Sequence, residues 1–207
     1  NPTATGAELR RRYELGDEFV VTYAGAMGMA NGLTTVLEAA ELLRERRDVR
    51  FLLVGDGKER AALEARARAM GLPNLTFAGP FPKSEMGTVL AASDACLAIL
   101  QDIPLFRTTY PNKVFDYMAA GRPTLLAIDG VIRQVIEEAG GGLFVPPGNA
   151  AALAAAVAQL ADDPAAARAM GEAARAYVVQ HFNRAQHAQQ FIALVTKLAA
   201  GQIPLER

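Results

Sequence analysis

Six short apolar runs, each followed by a turn and then by a stretch with apolar residues three and four apart, leave this chain few ways to fold. The runs are FVVTYA (19–24), RFLLVG (50–55), LTFAG (75–79), ACLAIL (95–100), PTLLAI (123–128) and GLFVP (142–146). Between them, LTTVLEAAELLRER, KERAALEARARAM, SEMGTVLAA, NKVFDYMAAG and VIRQVIEEAG carry helical periodicity. Runs of aliphatic residues without polar alternation are buried on both faces, and strands separated by helices cross over to pair in parallel. The pattern predicts an α/β chain with a doubly wound, parallel, six-stranded sheet. After Ala150 no strand follows, and AALAAAVAQLA, PAAARAMGEAARAYVVQHF and RAQHAQQFIALVTKLAA read as extra C-terminal helices.

At 207 residues, 51% of them apolar, the chain is long enough for one full core. It opens at Asn1, and NPTATG reads as a linker, so a piece of a longer protein is expected. The expected organisation is an interdomain linker and start of the domain over 1–18, a Rossmann-like domain over 19–180, and a C-terminal helix and tail over 181–207. With 21 basic against 22 acidic residues there is no field to gather nucleic acid or an anionic membrane. Cys96, the single cysteine, lies within ACLAIL and reads as a small buried hydrophobe. No apolar run approaches the roughly 20 residues of a membrane helix, and the first residues lack a signal-peptide core, so a cytoplasmic protein is expected. Neither His181 nor His187 has ligand-spaced partners, so no metal site is assigned. Asp162 and Asp163 precede Pro164 and read as an interhelical turn.

In a doubly wound sheet, ligands sit outside the carboxyl ends of the strands. Glycine, proline and basic residues crowd the segments expected there: GAMGMANG (25–32), GDGKER (55–60), GPFPK (79–83) and the long QDIPLFRTTYPNK (101–113). Glycines 25, 28 and 32 permit close backbone approach, and a following helix N-terminus suits phosphate. Lys58 is placed to reach a phosphate as a point charge. The dinucleotide fingerprint GxGxxG is not matched in either glycine loop, which argues against a nicotinamide dehydrogenase. Arg10 to Arg12 and RERRDVR (44–50) read as solvated helix ends. The stripe Phe191, Leu194, Val195 and Leu198 reads as ordinary core.

The window TTYPNKVFDYMAAGRP (108–123) predicts a helix entered at Pro111 and closed at Gly121, with Val114, Phe115 and Met118 as its apolar stripe. That frame leaves Asp116 and the long loop bearing Arg107, Thr108 and Thr109 without a structural role. PNKVFDYMAAGRPTLL resembles the signature of the nucleotide-sugar-binding domain of GT-B glycosyltransferases of the group 1, or family 4, type. LLVGDG, LEARARAMGLPNLTFAG, SDACLAIL and GGLFVPPGNAAALAAAV support it in order, and the likeness covers about 19–195.

The resemblance implies one half of a GT-B fold: the C-terminal, donor-binding domain of a retaining transferase. No metal or other cofactor is implied, and the donor is a nucleotide sugar, most readily a UDP-linked amino or deoxy sugar. The partner is a missing N-terminal acceptor-binding domain, and the acceptor a lipid-linked sugar. Similarity to O-antigen and capsule transferases implies bacterial surface polysaccharide synthesis, in the cytoplasm and peripheral at the inner membrane through the missing domain. Of the family's two glutamates in this segment, the ribose-binding one aligns with Asp116, whereas the first falls on Thr108. The family's Arg and Lys of the first glycine loop fall on Ala26 and Asn31, so Lys58, Arg60, Arg107 and Lys113 are candidate substitutes for the diphosphate. The catalytic candidates are Thr108, Lys58 and Lys113. Donor-binding candidates besides these are Gly25, Ala26, Met27 and Gly28 in the first loop, and Arg107, Thr109, Tyr110, Pro111, Asn112 and Asp116 around the helix start. Pro80 and Phe81 would border the base. Two other readings stay open: a GT-B UDP-sugar 2-epimerase, for which Thr108 supplies no carboxylate, and a binding-only nucleotide module.

Overall fold

The computed structural model describes residues 5–200; what was expected of residues 1–4 and 201–207 lies outside them. Six strands, β1 (Phe19–Ala24), β2 (Val49–Val54), β3 (Leu75–Gly79), β4 (Ala95–Ile99), β5 (Thr124–Ala127) and β6 (Gly142–Phe144), form one sheet in the order β3-β2-β1-β4-β5-β6. Every pairing is parallel. This is the expected doubly wound, Rossmann-like sheet, with strand ends within a residue or two of their apolar runs. β1, β4 and β5 are buried at every position, as strands covered on both faces must be.

The helices are α1 (Ala7–Arg12), α2 (Thr34–Leu42), α3 (Arg60–Met70), α4 (Met86–Ala92), α5 (Asn112–Ala119), α6 (Val131–Ala139), α7 (Ala150–Asp162), α8 (Pro164–His181) and α9 (Arg184–Ala199). Alternate residues of β1 divide the core. Phe19, Val21 and Tyr23 face a layer built by α2, α3 and α7. Val20 and Ala24 face the layer of α1, α4, α5 and α6, which α8 extends. The strand order reverses between β1 and β4, the switch point that opens a crevice at their carboxyl ends. Asp163 accepts the Ala166 amide as the cap of α8, so the acidic pair before Pro164 is indeed a turn. Cys96 is fully buried, and burial pushes its thiol up to about 12.

Three expectations change. First, the segment before β1 carries α1, and Arg10 is no solvated helix end. It pairs with Asp94 and donates to the Ala92, Gly16 and Glu18 carbonyls, while Asp94 also accepts the Val20 amide. One guanidinium thus ties α1 to the starts of β1 and β4. Arg10→Ala is expected to cost roughly 1–3 kcal/mol, because it strands a partly buried carboxylate; equilibrium urea unfolding reads it, and an unchanged midpoint sinks the idea. Second, part of the basic cluster is structural as well. Arg44 donates to the Met70 and Gly71 carbonyls, Arg46 bridges Asp48 and Asp162, and Arg50 pairs with Glu18. Third, the stripe on α9 is not core. Phe191 is 66% exposed, and Leu194 and Val195 are exposed too. Both sheet faces are already covered by other helices, so no apolar surface of the sheet is left for α9 to cover.

Candidate functional site

Two loops flank the crevice at the switch point. The first, after β1, runs from Gly25 through a 3₁₀ turn (Met29–Asn31) to α2; the second, after β4, contains a 3₁₀ turn (Pro104–Thr108) and enters α5 at Pro111. They touch where the Gln101 amide donates to the Ala30 carbonyl. The loop after β2 buttresses the first. A Cβ on Gly55 would lie 1.9 Å from the Gly25 carbonyl oxygen, and one on Gly57 would lie 2.5 Å from that of Met27. Met27 is fully buried, and its amide and carbonyl are held by Asp56 and Glu59. The Gly25 amide is likewise tied to Val54, whereas the amides of Ala26 and Gly28 carry no hydrogen bond among the described residues. A Cβ on Gly28 would meet nothing within 4 Å, so room for a ligand lies there.

The helix start expected at Pro111 is observed, with Pro111 itself extended and no side chain capping α5. Its first amides, those of Asn112 and Lys113, carry no hydrogen bond among the described residues and stand as free donors at the positive end of the helix. Lys113 reaches from α5 across the strand ends. Its ammonium lies 4.1 Å from the centroid of the Tyr23 ring and 2.5 Å from where a Cβ on Gly25 would be. Burial pulls its pKa down to about 8, and no carboxylate pairs with it among the described residues. A half-buried cation without a counter-ion, beside free amides and open space, is a site made for an anion.

Of the four cations offered for that role, the structure separates two from two. Arg60 is taken by Glu64 at 2.8 Å and Asp56 at 3.8 Å, and Arg107 by Asp102 at 3.0 Å. Lys58 is exposed, beside the buttressing glycine turn, and like Lys113 it has no ion pair among the described residues. All the ion pairs among the described residues use arginine. Three of the chain's four lysines, Lys58, Lys83 and Lys113, follow strands at the carboxyl edge and form no ion pair among the described residues. Arginine's planar fork suits fixed bridges, and lysine remains as a mobile point charge.

Around the second loop, the Thr108 hydroxyl donates to the Leu105 carbonyl and that of Thr109 to Phe106, and both close the 3₁₀ turn. Thr108 is exposed at the rim. Arg107 is wedged by its backbone against Gly130, whose Cβ would lie 2.0 Å from the Arg107 carbonyl oxygen. Tyr110 is 54% exposed, with its ring 6.4 Å from Phe115, which in turn packs on Phe182. Asp116 is exposed on α5 and lines a cleft of about 340 Å³ with Lys83, Met86, Gly87, Leu90 and Arg122. The structure does not bring Pro80 and Phe81 to that cleft. Pro80 is exposed, and Phe81 packs on Tyr13 beside Arg12.

Three residues escaped the sequence reading. Tyr117 is buried on the inner face of α5, and its hydroxyl accepts the Ala24 amide and donates to the Ala24 carbonyl, which pins α5 to the end of β1. Tyr23 closes β1 and donates to the Ala26 carbonyl at 2.6 Å. Lys83 faces the Asp116 cleft. A tyrosine inside an apolar period is a usable signal, because its hydroxyl must find a partner when buried.

A doubly wound domain with an unpaired lysine and free amides gathered at its switch point is the class that fold and site define. The chain belongs to the glycosyl transferases of group 1, whose family model matches residues 18–163. An alpha-D-kanosaminyltransferase of Streptomyces kanamyceticus is 33% identical over 170 residues, 82% of this chain and 43% of that protein. A 2-deoxystreptamine glucosyltransferase of the same organism is 30% identical over 84% of this chain and 45% of its own. The chain thus spans about half the length of the curated relatives it matches. Among solved structures, Anabaena Alr3699/HepE in complex with UDP and glucose superposes with a TM-score of 0.79 at 20% identity, over 92% of this chain and 51% of that one. The C-terminal domain of a group 1 protein, LpcC from Francisella tularensis, gives 0.70 at 15% identity over 88% of this chain and 97% of its own. These likenesses confirm the expected GT-B half as a fold.

Proposed function

We propose that the chain is the nucleotide-sugar-binding half of a retaining, metal-independent glycosyltransferase, with a UDP-sugar as donor. The observation that carries this reading is Lys113, a half-buried ammonium without a carboxylate, set against the first glycine loop at the uncapped start of α5. The diphosphate lies there, held by Lys113, Lys58 and the free amides of both loops, and these groups take up the charge that develops as the sugar–phosphate bond breaks. Asp116, about one turn along α5 from Lys113 and lining the cleft beside that helix, accepts hydrogen bonds from the ribose hydroxyls. Thr108 and Thr109 face the sugar. The acceptor comes from a second domain of the longer protein, so this half alone binds donor without transferring it.

Relatives named for colanic acid and lipopolysaccharide core biosynthesis, 28% and 30% identical, support an acceptor in bacterial surface polysaccharide. A lipid-linked acceptor and a cytoplasmic location at the inner membrane follow from that reading. The relative named a 2-deoxystreptamine glucosyltransferase favours a second one, in which the acceptor is a small aminocyclitol. No observation favours the epimerase, whose chemistry needs a carboxylate where Thr108 stands.

Calorimetric titration with UDP, GDP, ADP and NAD, without added metal, tests the donor reading. UDP is expected to bind selectively, and Asp116→Ala to weaken it roughly 10- to 30-fold through loss of charge-assisted hydrogen bonds. A folded chain that ignores UDP, or that prefers NAD, defeats it.

A further inference from the structure

Tyr23 is fully buried near the end of β1, and besides the partner that its buried hydroxyl needs, its ring makes a contact at the crevice that no core role requires. Its ring lies under the Lys113 ammonium, 4.1 Å from centroid to nitrogen. Its hydroxyl donates to the Ala26 carbonyl at 2.6 Å, within the loop whose Ala26 and Gly28 amides are free. Gly25 lies between these contacts: a Cβ there would stand 2.5 Å from the Lys113 nitrogen and 3.3 Å from the Tyr23 hydroxyl. The cation comes from α5, which packs on one face of the sheet, and the loop after β1 sends its buried Met27 into the layer on the other, and one aromatic side chain touches both loop and cation.

We propose that Tyr23 is a positioning residue for the anionic part of the ligand: its ring holds the Lys113 ammonium over the glycine loop, and its hydroxyl fixes the loop carbonyl that sets where the free amides point. The inference rests on the donor reading above and deepens it by placing the nucleoside diphosphate's β-phosphate within reach of the Tyr23-supported lysine. A quadrupolar face suits this task better than a carboxylate. It orients an ammonium without neutralising it, so the full charge stays available to phosphate.

The test is a double-mutant cycle of Tyr23→Leu and Lys113→Met on the chain as it stands, read by calorimetry with UDP, uridine and inorganic pyrophosphate as probes. Tyr23→Leu is expected to weaken UDP about 10-fold, the scale of a desolvated cation–π contact, while uridine binds as in the parent. In the Lys113→Met background the same change is expected to do nothing more. Tyr23→Phe keeps the ring and is expected to bind UDP within about 3-fold of the parent; Tyr23→Met, which also lacks the ring, stands in for the leucine variant in the cycle if that one fails to fold. Additive losses overturn the proposal, as does equal weakening of uridine and UDP, or a Phe variant as damaged as Lys113→Met. A parent that binds pyrophosphate but not UDP defeats the nucleotide reading alone, and the cycle on pyrophosphate then decides Tyr23. A parent that binds neither probe overturns both.

Discussion

Lys113→Met is expected to lower the affinity for UDP about 30- to 100-fold and to remove its dependence on pH. In the ligand-free protein burial brings the ammonium down to about pKa 8, so at pH 7 it is protonated and above pH 8 it is increasingly neutral. A bound diphosphate favours the charged form and raises the pKa again. Affinity should therefore be flat near pH 7 and fall through pH 8 to 9.5 by up to 10-fold per unit, while the diphosphate keeps a constant charge. Tyr23 and Tyr117, the titratable groups beside Lys113 and on the inner face of α5, stay neutral throughout, because burial raises both. The sign for folding is opposite. Between pH 8 and 10.5 the unfolded chain holds a proton that the folded chain has released, so stability of the free protein rises with pH across that window, and Lys113→Met should abolish the rise. Calorimetry and urea unfolding at several pH values check both. A variant that still titrates through pH 8 would move the effect away from Lys113.

Gly55→Ala is expected to destabilise the fold by about 2–4 kcal/mol and to abolish UDP binding at the concentrations a calorimeter reads. Its φ of 138° belongs to the region that side chains avoid, and its Cβ would occupy the place of the Gly25 carbonyl oxygen. The strain cannot relax into solvent, because Gly25 is itself closed in by Lys113 and Tyr23. Gly28→Ala is the matched control. Its backbone is extended at φ −115° and its Cβ meets open space, so stability should stay within about 0.5 kcal/mol of the parent while UDP, which would use that space, binds more weakly. Denaturant unfolding separates the two. Equal stability of the alanine variants at 55 and 28 would mean that the loops are not stacked as the structure has them.

What the sequence by itself determined is the sheet, its six strands and the edge where the candidate site lies. Continuous aliphatic runs have one stable home, a parallel strand buried on both faces, and glycine and proline after each run mark the carboxyl ends. The α5 frame was equally legible, since Pro111 and Gly121 delimit it by backbone chemistry that needs no partner. Asp116 could be picked out because the frame gave it nothing to do, and Lys113 because the family resemblance left the diphosphate without its usual basic pair. The roles of like residues could not be read in the same way. Arg60 and Arg107 looked as fit for a diphosphate as Lys58 and Lys113 until the fold put Glu64 and Asp102 beside them. Arg10 looked solvated until Asp94, distant in sequence, met it, and the α9 stripe looked like core until both faces of the sheet proved covered. Local sequence sets backbone preference and apolar period, which act over a few residues. Whether a charge is paired or left for a ligand depends on residues brought from far along the chain, and only the tertiary structure decides that.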